Sequence, residues 1–237
     1  MLHRVLDSLA SQTSPPDHVI VVDDASPHLF EVSDAKKVLR LPENSGPATA
    51  RNAGKDAALD QGADIVAFSD MDCIVDERWI AEIVAGFQRE STAGALSGRT
   101  LSHGTGWLDQ FHDLAGTLNG KRFTDTPYLL YGATANLAVR SEVLREVDFS
   151  ESFPEAAAED VDFCFRALLG GFATQHAPDM VVSHDYGYPD SRMSAFRRFL
   201  GQFRRYGRGH RVLVERHPSF RSYAGQTEAI RNREVPF

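Results

Sequence analysis

Two carboxylates stand one residue apart where an apolar run ends: Ile65–Phe68 is followed by Ser69-Asp70-Met71-Asp72. Beyond a strand end, where the chain turns, both side chains can point into one pocket. Hard divalent cations such as Mg²⁺ or Mn²⁺ take oxygen ligands of this kind and commonly bridge to substrate phosphates. A second acidic end, Asp23-Asp24, closes the apolar run 18–22. In open α/β sheets ligands bind beyond the carboxyl ends of the strands. Taken singly, either pair is equally a solvated strand end or a helix cap; two such ends in one domain favour a site.

The elements around these acids follow from periodicity. Leu2, Val5, Leu6 and Leu9 have helical spacing, so the chain opens on an amphipathic helix. A turn, a buried strand at 18–22 and a breaker come next. KVLRL is a short strand, and a Gly/Pro loop leads into a small-residue helix over about 48–60. After the strand ending at Asp70, DERWIAEIVAGFQRE is a helix with Trp79, Ile80, Ile83, Val84 and Phe87 on one side. GALSGRTL is expected as a strand, GWLDQFHDLAGTLNG as a helix and YGATANLAVR as a loop entering a strand. SEVLREV is a short helix, a longer helix starts near Ala158, and a late strand ends at His184. Strands alternating with helices predict an α/β domain with a largely parallel sheet.

Composition narrows the class. A chain of 237 residues with 42% hydrophobic and 24% charged residues can bury a core without staples. The net charge of −8 argues against nucleic acid as a partner. The charge is uneven: 191–233 is rich in arginine, with only Glu215 and Glu228 as acids, which marks a basic C-terminal arm. Cys73 and Cys164 are too few for a disulfide framework and read as packing residues in a reduced, cytoplasmic setting. No apolar run approaches the ~20 residues of a spanning helix, and the N-terminus has no signal-peptide pattern.

The order VVDDASP, NSGPATARNAG, AFSDMDC, AEDVDF, SHD resembles the inverting family 2 glycosyltransferases of the GT-A fold over residues 1 to about 186. That family's motifs read VVDDGS, N-x-G-x-x-x-A-R-N-x-G, D-x-D and E-D. The resemblance implies a Rossmann-like, mostly parallel sheet flanked by helices; beyond it, a composition shift marks 187–237 as a basic arm that reads as helical. It also implies sugar transfer from a nucleotide-sugar donor, by default a UDP-sugar, to an acceptor hydroxyl with inversion. The acceptor class stays open among glycan, lipid carrier, peptide and small molecule.

Residue by residue, the resemblance gives Asp23 and Asp24 to the donor's base and ribose. Arg51 faces nucleoside or phosphate, a task that suits its fixed fork of donors. Asp72 holds Mn²⁺ or Mg²⁺, Asp70 holds ribose or metal, and His184 adds a metal or diphosphate contact. The metal neutralises the departing diphosphate. Asp160 is the base that takes the acceptor's proton, and Glu159 orients acceptor or base. Without the other motifs, Glu159 and Asp160 would read as acids of a first helical turn. Gly132 in YGATAN permits close backbone approach, and Asn136 is assigned to sugar hydroxyls. QFRRYGRG (202–209) resembles the Q-x-x-R-W motif of processive polysaccharide synthases, with Tyr206 at the tryptophan. A helix covering the diphosphate, a solvated face, and a face peripheral to an anionic membrane are all open for this arm.

Two departures matter. The family's first central strand, with its Pro-x-Tyr/His-Asn turn, has no counterpart before the first helix. A start further upstream is the preferred explanation, and a truncated relative the other. Ala25 stands where glycine is usual. A truncated relative would fit a non-catalytic sugar-nucleotide or glycan-binding protein. AFSDMDCIV also fits the haloacid dehalogenase signature of a phosphotransferase, but that class leaves VVDDAS and ARNAG unexplained.

Overall fold

The computed structural model describes residues 1–28, 37–153 and 155–232. In chain order the elements are α1 (Leu2–Ala10), β1 (Ile20–Asp23), β2 (Lys37–Arg40), α2 (Pro47–Asp60), β3 (Ile65–Phe68), β4 (Cys73–Val75), α3 (Trp79–Arg89), β5 (Ala95–Ser102) and α4 (Trp107–Ala115). Then come β6 (Lys121–Phe123), β7 (Tyr128–Tyr131), a 3-10 turn at Thr134–Asn136, β8 (Leu137–Arg140), α5 (Ser141–Glu146), α6 (Glu159–Leu169), β9 (Thr174–His184), α7 (Arg192–Arg216), α8 (Phe220–Ala224) and β10 (Thr227–Ala229).

The main sheet runs β10-β6-β7-β9-β5-β8-β3, with β4 paired to the end of β9. It is mixed, not largely parallel: β5–β9 is parallel, while β3–β8, β5–β8, β6–β7 and β7–β9 are antiparallel. The expectation of parallel strands assumed a helix between each pair. Residues 124–127 alone join β6 to β7, too few for the crossover that a parallel pair needs.

A separate parallel pair, β1–β2, carries the first acidic end. Among the described residues no ladder joins it to β3, which pairs only with β8. The break falls where the family resemblance puts a central strand, and it leaves one open edge on each of β1 and β3. All four residues of β3 are only half-buried.

The core forms on both faces of the sheet. Trp79, Ile83 and Phe87 of α3 pack on Leu96, Ala138, Met180 and Val182, each large side chain contributing roughly 1.5–3 kcal/mol by burial. Val84, expected on that face, is exposed. On the other side Val143, Leu144, Phe149 and Phe163 pack on Leu137 and Val139. The basic arm carries α7 and α8 and is built into the fold. Leu213 and Phe220 pack on Leu130 and Phe165, and β10 extends the sheet against β6. No described helix is long and apolar enough to cross a membrane.

Two loops bearing candidate acids contain an alanine in the left-handed region: Ala25 (φ 52°) after Asp24, and Ala158 (φ 72°) before Glu159. The first explains the family's glycine, since a Cβ there costs about 1–2 kcal/mol. Ala25→Gly is therefore expected to raise the melting temperature by about 1–4 °C in thermal unfolding, the glycine's greater unfolded entropy offsetting part of the gain. An unchanged or lower melting temperature would refute this reading of the loop.

Candidate active site

The turn between β3 and β4 carries Asp70 and Asp72, and the antiparallel pairing of β4 with β9 closes it. Cys73 is the register partner of His184, and the Asp185 N–H donates to the Asp72 carbonyl at 2.9 Å. This brings His184 Nε2 to 3.4 Å from Asp72 Oδ1. Ligand atoms of Asp72, Cys73 and His184 lie within 4.8 Å of one another. The Cys73 thiol is buried, and burial pushes its pKa far above the ordinary range, so it stays protonated and points toward the Ala135 carbonyl at 3.8 Å. Of these three, the Asp72 carboxylate and the His184 imidazole are the donors that suit a hard cation. Burial raises the Asp72 pKa, with Asp70 adding to it and His184 opposing. His184 Nδ1 is buried with no hydrogen-bond partner among the described residues. A desolvated carboxylate beside an imidazole, short of positive charge, fits a divalent ion that completes its shell with waters and phosphate oxygens.

Asp70 lies outside that group, because Arg51 holds it. From α2, Arg51 Nη2 donates to Asp70 Oδ1 at 3.4 Å and Nη1 to Glu159 Oε1 at 2.5 Å. Burial disfavours the charge on Arg51, but Asp70, Glu159 and Asp160 together outweigh it and hold its pKa above the usual value. The expected nucleoside- or phosphate-facing arginine is thus a bridge between the D-x-D and E-D motifs.

Glu159 and Asp160 open α6. Glu159 is 3% exposed, and its Oε2 has no partner among the described residues. Asp160 Oδ1 accepts from the Val161 N–H at 2.8 Å and Oδ2 from the Thr134 N–H at 3.4 Å. Burial pushes Asp160 up to about 7, Glu159 adds to the rise, and Arg51 pulls it back. A carboxyl at that value exchanges protons readily near neutral pH, which general base catalysis requires. Three carboxylates around one guanidinium, with Asp72 beside Asp70, also leave the cleft negative, a field that draws cations in.

Other expected residues lie further from this centre. Asp23 is buried; its Oδ1 accepts from the Ser26 N–H at 2.9 Å and its Oδ2 from Arg40, its partner across β1–β2. The Ser26 hydrogen bonds and Arg40 hold its pKa below the usual carboxylate value, against burial. Asp24 accepts from the N–H groups of Ser45 and Gly46 at 2.7 and 2.8 Å, which fixes the loop entering α2. Gly132 makes a close approach inside the protein: a Cβ there would lie 2.3 Å from that of Ser97.

Asn136 is a correction. It is 0% exposed. Its Oδ1 accepts from Trp79 Nε1 at 2.8 Å, and its Nδ2 donates to the Arg99 and Met180 carbonyls at 3.1 and 2.9 Å. Both amide protons are committed inside the core, so it holds the frame and does not face sugar.

An aromatic wall went unforeseen. Tyr186 lies on His112 at 3.7 Å between ring centres and tilts against His184 at 4.6 Å. His112 is pushed down to about 4 by burial and by His184, so it is neutral. His112 Nε2 shares a hydrogen bond with the Tyr188 hydroxyl at 2.6 Å, and Tyr188 donates to Gln202 Oε1 at 3.0 Å. Gln202 Nε2 in turn donates to the Tyr206 hydroxyl at 2.8 Å. Burial raises the Tyr206 pKa, and Asp160 and Asp70 lie near enough to raise it further. The Q-x-x-R-Y spacing was the available signal for this contact.

Comparison with known proteins places this geometry. Residues 1–148 match the family described as Glycosyl transferase family 2. The pre-mycofactocin glycosyltransferase of Mycobacterium tuberculosis is 30% identical over 215 residues, covering 84% of this chain and 43% of that protein. The chain thus spans less than half the length of the curated relatives it matches. Among solved structures, S. aureus TarS aligns with a TM-score of 0.55 at 21% identity, over 76% of this chain and 33% of that one. GalNAc-T7 with UDP, GalNAc and Mn²⁺ aligns at 0.58 and 15% identity, over 78% of this chain and 41% of that one. Both likenesses are of fold, a mixed α/β sheet flanked by helices.

The Arg51 bridge sets a measurable coupling. Arg51→Gln strands Glu159 as a buried charge and should cost about 3–5 kcal/mol in denaturant unfolding. Adding Glu159→Gln should recover a large part of that loss, because the two residues act as one unit. Additive losses would show that the bridge does not carry the energy assigned to it.

Proposed function

The chain belongs to glycosyl transferase family 2, and on that premise we propose that it moves a sugar from a nucleoside diphosphate donor to an acceptor hydroxyl with inversion. One observation carries the reading. Through buried Glu159, Arg51 ties the carboxyl pair that opens α6, one member with a pKa near 7, to the acidic turn that faces His184. Asp160 is the base: one of its oxygens takes the hydroxyl proton as the acceptor oxygen attacks the anomeric carbon. A single carboxyl suffices, since a diphosphate leaves without being protonated, unlike the leaving group of a two-carboxylate glycosidase. Mn²⁺ or Mg²⁺, when held by Asp72 and His184, supplies positive charge for that diphosphate. Glu159 and Arg51 orient Asp160, and Arg51 keeps its pKa from climbing further.

The donor's nucleoside lies at the end of β1. Asp24, half-buried, keeps lone pairs free for ribose beyond those used by Ser45 and Gly46. Asp23 acts there by holding Arg40 and Ser26 in place. A uridine diphosphate sugar is the default donor, supported by the UDP and Mn²⁺ in the GalNAc-T7 structure. The acceptor is a glycan, lipid carrier, peptide or small molecule bearing a hydroxyl. The setting is cytoplasmic, in keeping with two buried free thiols. Family membership removes the phosphotransferase alternative. A non-catalytic donor-binding role is the second reading, since Asp24 and the acidic turn lie apart from Asp160 and offer donor contacts of their own.

The test is turnover of a nucleotide-sugar panel with Mn²⁺. Asp160→Asn should lose about 10²–10⁴ in rate while keeping the donor-induced rise in melting temperature. Full activity in Asp160→Asn would overturn the assignment, and donor binding without turnover in the native chain would favour the second reading. Since the active form is the carboxylate and burial lifts its pKa to about 7, the rate should rise with pH through neutrality and then level. His184→Ala should raise the Mn²⁺ concentration needed for half-maximal rate by roughly 10–100-fold. An unchanged requirement would remove His184 from the metal shell.

A further inference from the structure

We propose that the face shared by α4 and α7 is a docking surface for an anionic lipid bilayer, and that it holds the active site against the membrane. Six large apolar side chains are 36–62% exposed there: Trp107 and Phe111 of α4, and Met193, Phe196, Leu200 and Phe203 of α7. They form one patch. Trp107 stacks on Phe196 at 6.5 Å, and Phe111 meets Phe203 edge-on at 5.9 Å. Single exposed apolar residues are ordinary on a soluble protein, whereas a contiguous aromatic group marks a binding surface.

The α7 members recur at spacings of three and four, so they line one stripe of the helix. Arg197 and Arg204 stand four residues beyond Met193 and Leu200 and flank that stripe; both are exposed. Over its 25 residues α7 carries eight arginines against one glutamate. An apolar stripe with tryptophan at its edge and arginines along its shoulder is the pattern of a helix lying in a membrane interface. Arginine stems can run along the apolar surface while the guanidinium groups reach lipid phosphates.

Charge selects the occupant. The whole chain is −8, so its acidic body is repelled by an anionic surface while this face is attracted, which fixes one orientation. A second copy pairing through the same face would set two arginine rows against each other. The opposite face of α7 carries Gln202 and Tyr206, and Phe203 stacks on His112, which lies on Tyr186 beside His184. Docking by this helix brings the cation ligands and Asp160 close to the lipid headgroups. An acceptor carried by the membrane would be presented there.

Co-sedimentation of the purified chain with vesicles tests this without donor or turnover, so its outcome is independent of the transferase reading. Vesicles of phosphatidylcholine with phosphatidylglycerol should pellet the protein, those of phosphatidylcholine alone should not, and added salt should weaken binding. Removing two basic residues at roughly fivefold each predicts that Arg197→Glu/Arg204→Glu loses about 25-fold or more in partitioning. Trp107→Ser/Phe196→Ser should lose about tenfold or more by removing buried aromatic area. Both pairs are at the surface, and an unchanged melting temperature confirms that they fold. Three results would overturn the proposal: no binding to anionic vesicles, equal binding to neutral ones, or a dimer by light scattering that Trp107→Ser/Phe196→Ser dissociates.

Discussion

A single, largely enclosed guanidinium sets the terms for the centre of this molecule. Arg51 comes from α2, Asp70 from the turn after β3 and Glu159 from the start of α6. Burying a charge is costly unless it is paired and hydrogen-bonded. Each of the three elements is therefore held in place by the need to satisfy the other two. Phe149, whose ring lies 5.9 Å from the guanidinium carbon, closes one side of the arrangement with an aromatic face. The bridge spans two motifs far apart in sequence and fixes the distance between the acidic turn and the carboxyl pair that opens α6.

Electrostatics then divides the acids by role. Asp70 is neutralised by Arg51, and Asp72 is left with His184. Asp160, deeper than either, has its pKa lifted to about 7. Neighbouring carboxyls whose surroundings push their proton affinities apart are the usual mark of divided labour. Asp23, held below the ordinary range by Ser26 and Arg40, belongs to a different regime. It stays ionised and organises the β1 end without taking part in proton traffic.

Much of this was legible in the residues. Strand ends closing in acids, the periodic apolar face of α3 and the acidic first turn of α6 are local features, and the structure has each of them. The short strands β4, β6 and β10 have three residues each, too few for an alternating pattern, so the mixed sheet they help build stayed hidden. Asn136 misled because an amide in a glycine-bearing loop looks like a ligand contact. Only tertiary structure shows that Trp79 and two distant carbonyls have claimed it. Arg51 was recognised as important, but its partners lie on α6 and beyond β3, which no local pattern reveals. The wall of Tyr186, Tyr188 and His112 depends on ring stacking between separate elements, for which spacing along the chain carries no signal.

The pairing of β4 with the far end of β9 governs when the site can come into existence. Asp72 leaves the ribosome early and His184 late, yet only their strand pairing sets the two side by side. Contacts between segments so remote in sequence wait on loop closure and form slowly. During synthesis the acidic turn is exposed before its lid strand exists, and the N-terminal segments must collapse without it. The pairing of Asp72 with His184 arrives with the last long strand of the core, and an incomplete nascent chain carries the acids without the imidazole beside them.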